Sequence, residues 1–217
     1  MIIAIDGPAG SGKSSTAKAV AARLGITYLD TGAMYRAVTL KAQRLKIRYD
    51  DDTALGIIMA HTTIAFEGLP PDVRVIMDGD DVSADIRSDA VTKSVSDYCA
   101  RDVVRKFLVE QQRQAAQGRS VVCEGRDIGT VVFPDADVKI FMVASVEERA
   151  RRRQKDFAAM GVSKSVEELI KDIEARDHKD STRANSPLTK AGGAIEMDTT
   201  GMTLEDQIMF IVNKVKT

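Results

Sequence analysis

After a short apolar run, the chain reads Gly7-Pro8-Ala9-Gly10-Ser11-Gly12-Lys13-Ser14-Ser15. The first eight of these residues match a glycine, four free positions and then Gly-Lys-Ser, which is the pattern of a phosphate-binding loop. Glycines let the backbone wrap closely around phosphate oxygens, and the N–H groups at the start of the next helix favour negative charge. A flexible surface turn is the alternative interpretation, so the neighbouring segments must distinguish the two.

The segments on either side of this loop have the strand and the helix that the pattern requires. Residues 2–5 are apolar without alternation, which is typical of a parallel strand covered on both faces. From Lys13 to Leu24 apolar residues recur at helical spacing, and Gly25 stands where a left-handed C-terminal cap belongs. Strand, loop and helix therefore predict the first half of a βαβ unit.

Four more short strands are predicted, at 26–30, 120–124, 138–144 and 194–198. Helices separate them, and three of these begin with a hydroxyl residue followed three positions later by an acid. The pairs are Ser145 with Glu148, Ser165 with Glu168, and Thr203 with Asp206. This alternation predicts an α/β fold of the P-loop NTPase type, with a parallel five-stranded sheet covered by helices on both faces.

One stretch interrupts the alternation of strands and helices. Between Thr62 and Val82, apolar and polar residues alternate around two turn sequences, which predicts a small antiparallel sheet inserted into the fold. A long helical region of about 85–117, broken near Ala100, leads back to the third strand of the core. We expect a core of 1–38, 101–154 and 188–217, an insertion of 39–100, and a short lid region of 155–187.

The residues of the phosphate-binding loop also indicate the first of the substrates. Lys13 can bridge the β- and γ-phosphates of a nucleotide, and Ser14 can offer its hydroxyl to Mg²⁺. The sequence therefore predicts a site for a nucleoside triphosphate with magnesium. Because switch GTPases, motor ATPases and small-molecule kinases share this loop, the fate of the γ-phosphate has to be inferred from other residues.

Arginines indicate a second anionic substrate. Arg36 follows the second strand and Arg126 follows the third, at the carboxyl ends where open α/β sheets bind their ligands. A hydrolase needs about one arginine finger and a positioned water, whereas a transferase that joins two phosphate-bearing molecules needs several cations. The planar fork of arginine suits this task because it binds phosphate with two hydrogen bonds.

Other arginines fit two interpretations. Arg149 and Arg151 lie on one predicted helix, and a solvated helix face explains them as well as a functional role does. Arg176, Asp180 and Arg183 lie in a polar segment that fits either a mobile lid or an ordinary loop.

Composition excludes several classes of protein. The formal net charge is −1 and hydrophobic residues make up 44% of the chain, as in ordinary globular proteins. Trp is absent and no basic face with interleaved aromatics is present, which argues against a nucleic-acid partner. The apolar runs are far shorter than the roughly 20 residues of a bilayer crossing, and the first residues lack a basic leader. We expect a cytoplasmic monomer without a membrane partner, with Cys99 and Cys123 as buried, reduced thiols.

Four stretches together resemble bacterial cytidylate kinases, which belong to the nucleoside monophosphate kinases. They are the phosphate-binding loop, Tyr28-Leu29-Asp30-Thr31-Gly32-Ala33-Met34-Tyr35-Arg36, the residues from Gly125 to Ala136, and Arg176-Asp177 through Arg183 to Ser186-Pro187-Leu188. The resemblance extends from Ile3 to about Ile211, and the second and third stretches are more specific than the loop. The family is similar to other monophosphate kinases but has an enlarged acceptor-binding region, which fits the predicted insertion.

The resemblance implies transfer of the γ-phosphoryl group of ATP to CMP or dCMP with Mg²⁺. On the family's pattern Lys13, Arg126 and Arg183 are catalytic, and residues 7–15 with Arg153 hold ATP. The acceptor is bound through its cytosine by Ser96, Arg105 and Asp127, through its sugar by Arg176 and Asp180, and through its phosphate by Arg36, Arg126 and Arg183, with Thr31 and Tyr35 as further contacts. The family usually has Asp where this chain has Glu124, so a magnesium role for that carboxylate stays open.

Two other functions fit part of the same pattern. A regulatory nucleotide switch or an ATPase would hydrolyse its nucleotide slowly without an acceptor, but the guanine-reading Asn-Lys-x-Asp segment of switch GTPases is absent. A P-loop kinase for another nucleotide or for a small metabolite would keep the same loop and arginines.

Overall fold

The structure is a computed structural model that describes residues 1–70, 72–159 and 161–215. A 3₁₀ turn at Asp85–Arg87 and a single π-helical turn at Ile128–Val132 supplement its strands and α-helices. In chain order these are β1 Ile2–Asp6, α1 Lys13–Leu24, β2 Thr27–Asp30, α2 Thr31–Arg44, α3 Asp52–Ala60, β3 Ile64–Glu67, β4 Arg74–Met77, β5 Asp80–Asp81, α4 Asp89–Cys99, α5 Asp102–Ala116, β6 Val121–Gly125, β7 Val138–Val143, α6 Val146–Ala159, α7 Val166–Thr182, β8 Ile195–Asp198 and α8 Leu204–Val215.

The main sheet is parallel and has the order β2-β6-β1-β7-β8. The predicted five-stranded sheet is therefore confirmed, with strand ends that differ from the prediction by a residue or so. Because β1 lies between β6 and β7, the loop that follows β1 lies beside the turns that follow those strands. The carboxyl edge of the sheet thus brings the phosphate-binding loop next to Arg126.

Helices cover both faces of this sheet, as predicted. In β1, Ile3 and Ile5 belong to a buried cluster that includes Val20 of α1 and Ile211 of α8. Ala4, which points to the opposite face, belongs to a second cluster with residues of α2, α3 and α5 such as Met34, Leu55 and Leu108. A strand buried on both faces has no polar positions to alternate with, which explains the continuous apolar run at the start of the chain.

The inserted antiparallel sheet is also confirmed. Strands β3, β4 and β5 pair antiparallel, with Ile64 opposite Met77 and Ile76 opposite Asp81. This small sheet packs its apolar residues against α2, in a cluster that includes Val75 and Leu40. The long helical region that follows is divided into the 3₁₀ turn, α4 and α5, with the break at residues 100–101. The insertion therefore attaches to the helix that carries Tyr35 and Arg36.

The predicted helix starts form the expected hydrogen bonds. The Ser165 hydroxyl accepts from the backbone N–H of Glu168, whose carboxylate accepts from the backbone N–H of Ser165. Thr203 and Asp206 exchange the same two bonds ahead of α8, and the Ser145 hydroxyl accepts from the N–H of Glu148. Among the helices within the described ranges, none is both apolar enough and long enough to cross a bilayer.

Helices α6 and α7 pack against each other over a small core of Ala150, Leu169 and Ile173. Residues 177–182 belong to α7, so the interpretation of this polar segment as an ordinary loop is wrong. The segment lacks apolar residues because it faces a polar cleft and solvent. The expected boundaries after residues 38 and 154 fall inside α2 and α6, and the division into core, insertion and lid stays a prediction.

Candidate functional site

A cleft of about 1010 Å³ opens at the carboxyl edge of the main sheet, between the phosphate-binding loop, the insertion and α7. Gly7, Pro8 and Ser11 do not line it and instead form the loop behind its wall. The predicted site residues that the cleft brings together are Ala9, Gly10, Gly12, Lys13, Ser14, Ser15, Thr31, Tyr35, Arg36, Ser96, Arg105, Arg126, Asp127, Arg153, Arg176, Asp180 and Arg183.

The loop requires glycine at its first position. Gly7 has φ +151°, and a Cβ built on it would lie 2.1 Å from the carbonyl oxygen of Met142 in β7. A side chain there would push the loop away from the sheet. Gly12 has φ +96° and leads directly into α1, whose first-turn N–H groups have no partners within the helix. These N–H groups and the close backbone packing produce a cradle for an anion.

Lys13 lies at the bottom of this cradle and is almost completely buried. Its Nζ donates to the carbonyl oxygen of Pro8 at 2.7 Å and to the Ser11 hydroxyl at 3.3 Å. Burial and the nearby charge of Arg126 lower the pKa of Lys13 to about 7. The Lys13 amine therefore lacks a full counter-charge, and a bound phosphate would supply one and favour its charged form.

This lowered pKa predicts that triphosphate binding takes up a proton. At pH 8 a lysine of pKa about 7 is mostly neutral, and a bound phosphate chain would raise its pKa and charge it, so we expect each site to take up most of a proton. Below about pH 6 the lysine is already charged and uptake should vanish. Calorimetric titration with an ATP analogue in buffers of different ionisation enthalpy measures this number. The Lys13→Met variant is the control, and equal uptake by that variant would contradict the assignment.

Glu124 lies in β6 and connects this strand to the phosphate-binding loop. Its buried carboxylate accepts from the Ser14 hydroxyl and, at 3.0 Å, from the hydroxyl of Tyr28. The longer side chain of glutamate therefore reaches Ser14 directly. A hydroxyl and a carboxylate are oxygen ligands of the kind that Mg²⁺ prefers, together with water and phosphate oxygens. Within the described residues no group of three His, Cys, Asp or Glu is arranged as a metal site.

The turn after β6 is fixed by Asp6. The carboxylate of Asp6 accepts from the backbone N–H groups of Ile128 and Gly129, each at 2.7 Å. Burial outweighs these two bonds and raises the pKa of Asp6 to about 6. The last residue of β1 thus positions the turn that carries Arg126 and Asp127.

Asp127 forms the centre of one half of the cleft. It pairs with Arg105 of α5 in a buried ion pair, and Arg183 lies 4.0 Å away on its other side. The Arg105 guanidinium lies over the ring of Tyr35, 5.4 Å from its centroid. Ser96, on α4, also lines the cleft. A carboxylate, two guanidinium groups and a hydroxyl can together recognise a ring that has both donors and acceptors.

A second ion-pair group lies nearer the phosphate-binding loop. Arg126 donates its Nε to Asp180 at 2.9 Å, and the Arg176 Nε lies 4.0 Å from the same carboxylate. Burial and the charge of Arg126 lower the pKa of Arg176 to about 10. Crowded cations of this kind are unfavourable unless an anion joins them.

Several buried polar atoms of the cleft have no partner within the described part of the protein. Within the described residues, these atoms of the cleft have no hydrogen-bond partner: the Tyr35 hydroxyl, the Nε atoms of Arg153 and Arg176, and one terminal nitrogen of Arg183. Buried donors without partners are costly, so they indicate that a polar ligand completes the cleft. Arg36, by contrast, has a partner within the protein, because it donates to the Thr92 hydroxyl at 2.8 Å.

The structure decides between the two interpretations of Arg149 and Arg151. Arg149 is buried and donates to the carbonyl oxygen of Ala9 at 3.1 Å and to Asp177 at 2.6 Å, so it does not belong to a solvated face. Arg151 is exposed, so the solvated face explains it. The expectation that both thiols are buried is wrong for Cys99, which is free, half-buried and part of the cleft wall, whereas Cys123 is free and buried.

Sequence reasoning missed several cations that line the cleft. Arg152 donates to the carbonyl oxygens of Ser11 and Thr199 at 3.2 and 2.7 Å and so fastens the loop to the segment after β8. Lys18 and Arg87 line the cleft. The row of arginines on α6 was a signal for Arg152, but spacing alone does not say which of them faces the loop.

Comparison with known proteins agrees with this geometry. The sequence profile described as cytidylate kinase matches residues 3–217. The cytidylate kinase of Pediococcus pentosaceus is 50% identical over 214 residues, which cover 99% of this chain and 95% of that protein. A bifunctional pantoate ligase/cytidylate kinase of Trichormus variabilis is 51% identical over 98% of this chain and 40% of its own length.

A solved structure of an uncharacterised protein from Eubacterium ventriosum superimposes with a TM-score of 0.56 and covers 100% of this chain and 99% of its own. Its sequence is only 13% identical, so it supports the fold alone. The profile and the full-length relatives are the evidence for kinship, and they agree with the resemblance of the four motifs. The chain belongs to the cytidylate kinase family.

Proposed function

We propose that this cytidylate kinase transfers the γ-phosphoryl group of ATP to CMP or dCMP, giving ADP and CDP or dCDP, with Mg²⁺ as the metal. The observation that carries the proposal is the buried Arg105–Asp127 pair, which faces the same cleft as Lys13 of the phosphate-binding loop. One half of the cleft is built for a polyphosphate and the other for a polar ring attached to an anion. A hydrolase would not need this second half, because it binds no second phosphate-bearing molecule.

On this proposal the loop holds the donor. Residues 7–15 surround the phosphates of ATP, and Lys13 neutralises charge on the β- and γ-phosphates. Arg153 would supply one of its unpartnered donors to the donor side of the cleft. Ser14, aligned by Glu124, would be a metal ligand, and bound Mg²⁺ would supply further neutralisation of phosphate charge.

The acceptor is recognised through its base. Cytosine has an exocyclic amine that donates to a carboxylate and ring atoms that accept from a guanidinium or a hydroxyl. Asp127 would accept from the amine, and Arg105 and Ser96 would donate to the ring. Uracil has a carbonyl in place of the amine and would therefore face the Asp127 carboxylate with like partial charge.

The remaining groups bind the sugar and the phosphate of the acceptor. Asp180 and Arg176 would contact the sugar hydroxyls, while Arg36, Arg126 and Arg183 would surround the phosphate, with Thr31 and Tyr35 beside them. The transfer would be a direct in-line displacement. An oxygen of the acceptor phosphate would bond to the γ-phosphorus of ATP as the bond between that phosphorus and the oxygen that bridges it to the β-phosphate breaks. Lys13, Arg126 and Arg183 would stabilise the charge on the moving group.

Closure of the insertion, residues 39–100, and the lid, residues 155–187, would exclude water from this step. An open site would lose ATP to hydrolysis, which gives a physical reason for two closing parts.

We further propose that the protein works as a cytoplasmic monomer without nucleic-acid or membrane partners. Size-exclusion chromatography with light scattering tests the monomer.

The decisive experiment measures ADP release by the purified protein from ATP with CMP, dCMP, UMP, AMP or GMP as acceptor. We expect fast release with CMP and dCMP, much slower release with the others, and loss of activity when EDTA removes Mg²⁺. Release that does not depend on any acceptor would instead support an ATPase, and preference for another nucleotide would refute the assignment of the base pocket.

A further inference from the structure

Ser186 touches both arginines that flank Asp127. Its hydroxyl accepts from the Nε of Arg105 at 3.1 Å, and its carbonyl oxygen accepts from the Nε of Arg183 at 2.7 Å. The side chains of the two arginines and of Asp127 are each at most 8% exposed. One residue of the segment after α7 thus holds both cations of the acceptor half of the cleft.

The backbone of Ser186 has a conformation that most side chains avoid. Its φ is +51°, one of three positive values among the described non-glycine residues. Glycine would adopt this conformation without a steric cost, yet a residue with a hydroxyl stands here. A strained conformation persists when the surrounding contacts fix it, and such residues gather at functional sites. Here the contacts are the two arginine bonds.

We infer that Ser186 is a positioning residue for acceptor recognition, which orients the Arg105 guanidinium against Asp127 through its hydroxyl. Ser186 lies outside the lining of the cleft, so it acts through Arg105 rather than on the nucleotide. Nε is held by Ser186, one terminal nitrogen by Asp127 and the other, in a longer bond of 3.4 Å, by the carbonyl oxygen of Cys99, so the plane of the guanidinium is fixed. The plane determines where the remaining N–H groups point, and therefore which ring atoms they meet.

The inference rests on the proposed function, because it assigns Ser186 to the selection of cytosine. It also explains a connection between distant parts of the chain. The segment after α7 must lie in place before Arg105 is held, since Ser186 and Arg105 are 81 positions apart. The selectivity for the base therefore depends on the return of the chain from α7 to the core.

Two substitutions separate the hydroxyl from the backbone strain. Ser186→Ala and Ser186→Gly both remove the hydroxyl, but only glycine relieves the positive φ. We expect both variants to raise KM for CMP by about tenfold, to leave KM for ATP within about twofold, and to reduce the preference for CMP over UMP. Thermal unfolding should rank the Gly variant as the more stable of the two, although their KM values are similar.

A double-mutant cycle tests the route through Arg105. Arg105→Lys keeps the charge but removes the guanidinium Nε, so Ser186→Ala should change KM for CMP by less than about twofold in that background. The same tenfold change in both backgrounds, an equal change in KM for ATP, or recovery of wild-type KM in the Gly variant would overturn the inference. If the wild-type protein does not phosphorylate CMP, the proposed function and this inference both fail; if it does and the variants match it, only the inference fails.

Discussion

The Lys13→Ala variant is expected to lose about a thousandfold in kcat while it remains folded. Lys13 is the cation inside the phosphate cradle, and its Nζ is within hydrogen-bond distance of the loop itself. Without it, the negative charge that builds up on the transferred phosphoryl group would have to be neutralised by the arginines and the bound Mg²⁺ alone. ADP release at saturating ATP and CMP gives kcat.

Stability separates this catalytic loss from a folding defect. Because burial of Lys13 is unfavourable, as its lowered pKa indicates, the variant should unfold at a temperature equal to or above that of the wild type. Lys106→Ala is the matched control, since Lys106 is exposed on α5 and pairs with Asp102 at 3.7 Å. That control should keep full activity. Near-wild-type turnover by Lys13→Ala would refute the role of the loop.

The second large effect is expected from Asp127→Asn, which should raise KM for CMP by about a hundredfold and leave KM for ATP within about twofold. A site built to bond a polar group of its substrate loses that much when the bond cannot form. The asparagine amide has a donor as well as an acceptor, so the discrimination against UMP should also fall. Steady-state kinetics with each nucleotide varied in turn measures all three quantities.

Asparagine is preferred to alanine here for a structural reason. Removal of the Asp127 side chain would leave Arg105 buried without its partner, which costs about 3–5 kcal/mol and endangers the fold. Asp135→Asn is the control, because Asp135 is exposed in the segment that follows the same turn. A larger change in KM for ATP than for CMP would overturn the role of Asp127 in reading the base.

The local parts of the fold were predictable because their causes are local. The helix α1 begins and ends at the predicted residues, since glycine fixes both ends: Gly12 and Gly25 have left-handed backbone. The capping pairs of α7 and α8 are likewise three residues apart and need no knowledge of the rest of the chain.

The parts that could not be predicted depend on contacts between distant segments. Nothing in the sequence around Arg149 says that its side chain is buried against Ala9, 140 positions away. The contact of Ser186 with Arg105 has the same character, and so does the reach of Glu124 to Ser14. Position after a predicted strand indicated Arg36 and Arg126, whereas Ser96, Arg105 and Asp127 were assigned to the base only through the resemblance to a family, because spacing alone does not reveal which side chains share a cleft.

The guanidinium of Arg149 has a further consequence for motion. It bonds to the carbonyl oxygen of Ala9 and to Asp177, so the nucleotide loop and the far end of α7 share one tether. Movement of the whole of α7 would leave the buried Arg149 guanidinium without its partner Asp177, whereas movement of the tip near Ser165 alone would keep this ion pair. If the proposed lid of residues 155–187 moves, this tether places its pivot on the tip side of Asp177, so only the part of the lid before Asp177 would move and the part of α7 that carries Asp180 would stay with the core.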